Sequence, residues 1–244
     1  GFSAMCPAAS SLFALPVAWS ARGVRVHFLG HDDPSHEPTI LQQIVEQRRL
    51  DVAAAKAEHS VEELTRLADD LAQSHGGPLD LFERVRAEWP TMAVAAEFKR
   101  ASPSKGDIAP ELVAAEQGEL YAGAGAAVIS VLTEGKWFKG SLDDLRDVRL
   151  STQALADGGT IAMRPAVLRK DFIVDEYQLY EARAAGADTV LLIVAVLGVE
   201  ELSSLIACCR KLGMEPLVEV ANDEEATIAA EAGARVVGVN NRNL

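Results

Sequence analysis

The sequence predicts an α/β fold built on a parallel sheet, and three observations carry that prediction. From residue 92 onward, short apolar runs alternate with amphipathic stretches; the runs are "MAVAAEFK", "AAVISVLTE", "AVLRKDF", "DTVLLIVAV", "EPLVEV" and "RVVGVNN". Each run is rich in Val, Ile, Leu or Ala and barely alternates, as strands buried on both faces do. The stretches between them open on polar caps and close on glycine. A repeating helix, glycine, strand unit requires crossover helices, which leaves a closed barrel or an open doubly wound sheet.

Taken in chain order, residues 1 to 31 hold Arg22, Arg25 and several serines but no Asp or Glu, the composition of an organelle-targeting leader or of a terminus without function. Plastid stroma is the compartment expected if it is a transit peptide, and cytoplasm otherwise. "HDDPSHEP", residues 31 to 38, reads as a linker, because proline and clustered Asp, Ser and His favour turns. Residues 1–38 are therefore expected to be leader and linker, and 39–244 the folded domain.

Residues 39 to 89 read as mostly helical, with apolar residues three and four apart in "ILQQIVEQRRLDVAAAKAEHS" and "VEELTRLADDLAQS". Ser60 with Glu63 has the spacing of a capping box, and "HGGP" closes the second helix. In the later helices, Ser141 with Asp144, Asp175 with Gln178 and Asn222 with Glu225 read as N-caps with a helper three residues on. Gly123, Gly186, Gly213 and Gly233 read as their left-handed ends. "GAGAA" at 123–127 resembles part of a dinucleotide fingerprint, but it follows a helix and opens a strand, the reverse of what that loop needs. "RLSTQALADGGTIAMRPAV", 149 to 167, reads as a long helix-to-strand connection on the face away from any site.

Composition bounds the partners. The 244 residues are 49% hydrophobic and 24% charged, with a formal charge of −13, which argues against nucleic acid or an anionic membrane as a partner. No apolar run reaches the roughly 18 residues of a membrane helix. Cys6, Cys208 and Cys209 give neither a disulfide framework nor metal-ligand spacing, so a reducing compartment is expected. The histidines 27, 31, 36, 59 and 75 all precede the chemistry-rich half and read as solvated or linker residues, so no metal is expected.

Polar residues fall at the C-terminal ends of the strands: Glu97 and Lys99, Thr133 and Glu134, Lys170 and Asp171, Glu219, then Asn240, Asn241 and Arg242. A buried charge is costly unless paired, and here five strands repeat the pattern at one end. A barrel gathers those ends around one mouth, whereas an open sheet spreads them along an edge. The barrel is favoured. In "RASPSKG", Ser102 and Ser104 supply hydroxyls, Lys105 a cation and Gly106 close backbone approach, suiting a lid over an anionic substrate.

"EFKRASPSKG", "TEGKWFKGS", "LRKDFIVDEYQLYEARAAGAD", "LVEV" and "VGVNNRNL", in that order, resemble the indole-3-glycerol phosphate synthase family of tryptophan biosynthesis across roughly residues 39 to 244. The resemblance implies a (β/α)8 TIM barrel with extra N-terminal helices. It also implies a carboxy-lyase acting on a small phosphorylated anthranilate-derived substrate, with no cofactor, and fusion or association with other tryptophan-pathway enzymes. By resemblance, Lys170 is the general acid, Glu219 the general base of the later steps, and Lys99 an anchor for anionic groups and second proton donor oriented by Glu97. Asn240 and Arg242 would hold the substrate network, and Phe138 and Phe172 would pack on its aromatic ring.

Only about six β/α units are counted to residue 240. The family's seventh and eighth strands would carry a further catalytic Glu and the phosphate-gripping glycine loops. The expectation is a fragment of a longer gene product, poorly active alone. Two other readings stay open: phosphoribosylanthranilate isomerase, which wants a Cys and Asp pair, and a non-catalytic remnant whose open edges pair with another chain.

Overall fold

A computed structural model describes residues 37–241. The expected leader, most of the linker, Cys6, the histidines at 27, 31 and 36, and Arg242 lie outside the described residues.

Among the described residues three helices precede the sheet: α1 (Ile40–Glu58), α2 (Val61–His75) and α3 (Leu81–Arg86). Thr39 starts α1 with a reciprocal capping box to Gln42, Ser60 accepts from the Glu63 amide at α2, and Asp80 accepts from the Glu83 amide at α3. Each cap satisfies a helix N-terminal N–H that has no intrahelical acceptor.

The β/α region then runs β1 (Ala95–Phe98), a small hairpin of β2 (Ala101–Ser102) and β3 (Gly106–Asp107), and α4 (Ala114–Gly123). It continues through β4 (Val128–Leu132), α5 (Leu142–Asp157), β5 (Ala166–Lys170), α6 (Tyr177–Ala185), β6 (Thr189–Ile193), α7 (Val199–Lys211), β7 (Leu217–Val220), α8 (Asp223–Glu231) and β8 (Val236–Val239). All six predicted strands are present. They form one parallel sheet in the order β1-β4-β5-β6-β7-β8. Strictly sequential order, with no point where it reverses, is the winding of a β/α barrel and not of a doubly wound sheet. Among the described residues β1 and β8 are not paired to each other.

The two faces of the sheet bury different things. On the outer face Ile129, Val131 and Val167 pack in one core with Leu145 and Val148 of α5, Leu179 and Ala182 of α6, and Leu202 and Ile206 of α7. On the inner face Val128, Ala166 and Leu168 pack with Leu81 of α3, so α3 covers the floor beneath the strand starts. Val52 of α1 and Leu64 of α2 pack on Tyr177 and Ala184 of α6, and the Tyr177 hydroxyl donates to the carbonyls of Ala55 (2.9 Å) and His59 (3.0 Å).

Several local expectations need correction. Only β4 and β6 are buried throughout and β5 nearly so; β1, β7 and β8 alternate, and Val239 is 79% exposed. β1 and β8 are the end strands with one neighbour each, and β7 lies next to β8, so these strands have less cover than β4 and β6 in the middle of the sheet. The left-handed glycine after α4 is Gly125 (φ 89°), whereas Gly123 is the last helical residue; Gly186, Gly213 and Gly233 do adopt positive φ. Helix α5 runs on to Asp157, so residues 149–157 are helix and the connection to β5 narrows to residues 158–165. Asp175 accepts from the Tyr177 amide, while the Gln178 side chain turns back to the Val174 amide and the Phe172 carbonyl.

Candidate active site

Strand register places the predicted residues. Paired residues of parallel neighbours point to the same face, and residues two apart on a strand share it. Glu97 pairs with Ser130, Ser130 with Leu168 and Leu168 with Thr189; Ile193 pairs with Glu219 and Glu219 with Gly238. Stepping by twos along β5, β6 and the end of β8 puts Glu97, Lys170, Glu219 and Asn240 on one face. That face is the inner one, since it includes Leu168, Val128 and Ala166 of the floor. Apolar residues fill the floor, and polar ones occupy the mouth.

Within that mouth Glu97 joins two ammonium groups. One carboxylate oxygen takes an ion pair from Lys99, and the other stands 3.9 Å from Lys170 Nζ. All three side chains keep a quarter to a third of their surface open, so they are accessible to a solute and well screened by water. The Tyr121 hydroxyl donates to the Glu97 carbonyl at 3.2 Å and fixes the strand from the α4 side. Across the face, Asn240 Nδ2 donates to Glu219 Oε1 at 3.0 Å while the Asn240 amide donates to the Val220 carbonyl at 2.8 Å. This orients the half-buried Glu219 carboxylate through one of its oxygens.

Phe138 and Phe172, from the loops after β4 and β5, meet with ring centroids 6.1 Å apart and planes tilted by 40°. The two half-buried rings form an apolar pair at the C-terminal ends of β4 and β5, with Phe172 packed against the main core. Ser102 sits in the β2–β3 hairpin paired with Gly106, so the loop read as a lid is a folded hairpin, with Lys105 exposed at its turn.

Other strand-end polar residues serve the scaffold. Arg100, one of the cations of "EFKR", turns away and makes a bidentate pair with Asp144 at the start of α5 (2.6 and 2.7 Å). Glu134 is fully buried and accepts from the amides of Lys136, Trp137 and Phe138 at 2.8–3.1 Å, so it shapes the loop that carries Phe138. Lys139 in that loop has φ 54°, and at Gly140 an added Cβ would lie 2.0 Å from the Leu132 carbonyl oxygen. Asp171, also fully buried, accepts from Arg169, Arg48, Thr133 and the Phe172 amide. Burial pushes its carboxyl up, but Arg169, Arg48 and the Thr133 and Phe172 hydrogen bonds outweigh it and hold the group below the usual aspartate range.

Ser130, which sequence reading passed over, lies on the inner face between Glu97 and Leu168. Its hydroxyl is buried and has no hydrogen-bond partner among the described residues. A serine inside "AAVISVLTE" was the available signal, since a lone hydroxyl in an apolar strand needs a partner. A separate cleft of about 520 Å³ opens on the outer side of β5, between α1 and the loop after β4, lined by Arg48, Lys136, Arg169 and Glu181 among others. Lys99, Lys170 and Glu219 do not line it. Among the described residues no group of three or more His, Cys, Asp or Glu is placed to hold a metal, and no helix is long and apolar enough to cross a membrane.

A sequentially wound parallel sheet with two lysines and two carboxylates gathered at its strand C-termini defines a β/α-barrel protein with acidic and basic groups at one mouth. Residues 41–244 match the family described as indole-3-glycerol phosphate synthase. The chain belongs to that family, whose fold is the (β/α)8 barrel.

Individual relatives agree. A multifunctional tryptophan biosynthesis protein of Phanerodontia chrysosporium is 53% identical over 210 residues, covering 85% of this chain and 26% of the relative. One of Schizosaccharomyces pombe is 51% identical, with coverage of 85% and 26%. The indole-3-glycerol phosphate synthase of Mycolicibacterium gilvum is 48% identical over 84% of this chain and 70% of its own length. The chain thus spans about a quarter of the multifunctional relatives. A solved 3-hexulose-6-phosphate synthase superposes with a TM-score of 0.43 and 17% identity over 62% of this chain and 66% of its own, a level that bears on neither fold nor function.

Proposed function

We propose that the chain carries indole-3-glycerol phosphate synthase chemistry: ring closure of 1-(2-carboxyphenylamino)-1-deoxyribulose 5-phosphate with loss of carbon dioxide and water. The observation that carries the reading is the single inner face holding Glu97, Lys170, Glu219 and Asn240, with Lys99 on the same carboxylate as Lys170.

The anthranilate carbon that bears the carboxylate attacks the ketone carbon, and the developing alkoxide takes a proton from the Lys170 ammonium. Carbon dioxide then leaves with its bonding electrons returned to the ring. In the dehydration, Lys99 protonates the departing hydroxyl and Glu219, held by Asn240, removes the ring proton. Glu97 sits between both ammonium groups, so it fixes their separation before substrate arrives. Phe138 and Phe172 flank the aromatic ring, and Ser102 and Arg242 complete the anionic contacts.

The isomerase reading has less support, because both described cysteines, Cys208 and Cys209, are buried in α7 and neither ends a strand. The names of the multifunctional relatives support a further proposal, that this domain works fused to or associated with other enzymes of tryptophan synthesis.

The test is to supply the substrate to the purified chain and follow indole fluorescence. Product formed above the uncatalysed rate, and lost in Lys170→Ala and Glu219→Gln, supports the assignment. Equal rates for the chain and both variants contradict it.

A further inference from the structure

Lys170 lies between two residues that point the other way. Arg169 and Asp171 face the outer side of β5, where their side chains are 1% and 0% exposed. A buried ion pair of this kind is a poor investment for stability, since apolar residues of similar volume often do as well. The arrangement of its partners suggests another use.

Oδ2 of Asp171 accepts four contacts: Thr133 Oγ1 at 2.7 Å, Arg169 Nη2 at 2.9 Å, Arg48 Nη2 at 3.0 Å and Arg169 Nε at 3.3 Å. Oδ1 accepts the Phe172 amide at 2.8 Å. Thr133 in turn donates its amide to the Lys170 carbonyl at 3.1 Å, and Arg169 is tied to the Gln178 carbonyl at 2.7 Å and to Glu181 at 3.2 Å. One carboxylate therefore pins the backbone on both sides of Lys170, and it also sets the start of the loop that presents Phe172. Arg48 brings the extra helix α1 into the same knot, with its other terminal nitrogen held by Asp51 at 2.9 Å.

We propose that Asp171, held by Arg48 of α1, is the positioning residue of the site: it sets Lys170 and Phe172 relative to each other without touching substrate. The inference rests on Lys170 being the proton donor proposed above. A donor displaced by about 1 Å loses on the order of a hundredfold in rate while binding changes little, so the signature is a loss in kcat with KM preserved. Asp171→Asn weakens the knot at its centre. Arg48→Met weakens it from outside the barrel and leaves the sheet's own pairing intact, and Arg48→Lys restores the charge.

The experiment labels the lysines by reductive methylation with 13C-formaldehyde and records the Lys170 methyl signal, assigned with Lys170→Arg, in samples whose folding is checked by circular dichroism. Kinetics are measured on unlabelled protein. Expected are a shifted or broadened Lys170 signal in Asp171→Asn and Arg48→Met, an unchanged signal for exposed Lys211 on α7, and recovery in Arg48→Lys. Alongside, kcat falls about tenfold to a hundredfold with KM within about twofold. A folded Arg48→Met or Asp171→Asn protein with an unchanged Lys170 signal overturns the proposal, as does kcat within about twofold of the parent in both. If the parent chain shows no turnover at all, the functional reading fails by itself, and the Lys170 signal still decides the positioning claim.

Discussion

Lys170 on β5 stands 3.9 Å from the carboxylate of Glu97 on β1, and that carboxylate also holds Lys99. β4 lies between the two strands. The pair therefore bridges over an intervening strand, which only inward-facing residues at the mouth of a curved sheet can do. A structural surface pair needs no such convergence.

Replacing Lys170 tests its role directly. Lys170→Ala is predicted to lose on the order of a hundredfold in turnover, the size of a general-acid contribution. Its side chain is 30% exposed and lies outside the core clusters, so the thermal midpoint stays close to the parent's. Steady-state kinetics and a melting curve on the same sample check both halves.

The loop bearing Phe138 is predicted to be intolerant of a single methyl. In Gly140→Ala the new Cβ would lie 2.0 Å from the Leu132 oxygen and 2.5 Å from its carbonyl carbon, atoms of β4 that cannot withdraw without unpairing the strand. A destabilisation of about 3 kcal/mol is expected, at the upper end of overpacking costs. Urea unfolding measures it.

Acid should weaken the protein through Asp171. Its folded carboxyl is depressed below the ordinary value of 3.8, so the folded state binds that proton less readily than the unfolded state. The stabilisation is complete above the unfolded value and drains away as pH falls below it toward the folded value. Unfolding free energy measured between pH 6 and the acid limit is predicted to fall less steeply in Asp171→Asn than in the parent, from a lower starting point.

Ser130 is predicted to be dispensable for stability. An unpartnered buried hydroxyl costs about 1–3 kcal/mol against an apolar group of similar shape, so Ser130→Ala melts at the parent temperature or above it. A drop of several degrees would show that the hydroxyl has a partner.

Much of the fold was legible because it is written locally. Strand runs, the Ser60, Ser141 and Asn222 caps and the glycines at 186, 213 and 233 are short-range signals, and all are found in place. The slip from Gly125 to Gly123 and the underestimated reach of α5 are boundary errors, since periodicity marks that an element exists better than where it ends. Long-range electrostatics were not legible. Arg48 and Asp171 are 123 residues apart, and nothing in either neighbourhood announces the other. The cations and carboxylates of "EFKR" and "LRKDF" look alike in sequence; only the alternation of faces separates Lys99 and Lys170, which enter the mouth, from Arg100, Arg169 and Asp171, which do not.

One titration tests the shared site most directly: the 13C-methylated chain against the ketone-reduced analogue of the substrate, which binds without reacting. The Lys99 and Lys170 signals are expected to shift together and saturate at one common ligand concentration, with Glu219→Gln weakening both equally. Signals that move at different concentrations, or a single lysine responding, would contradict a common site.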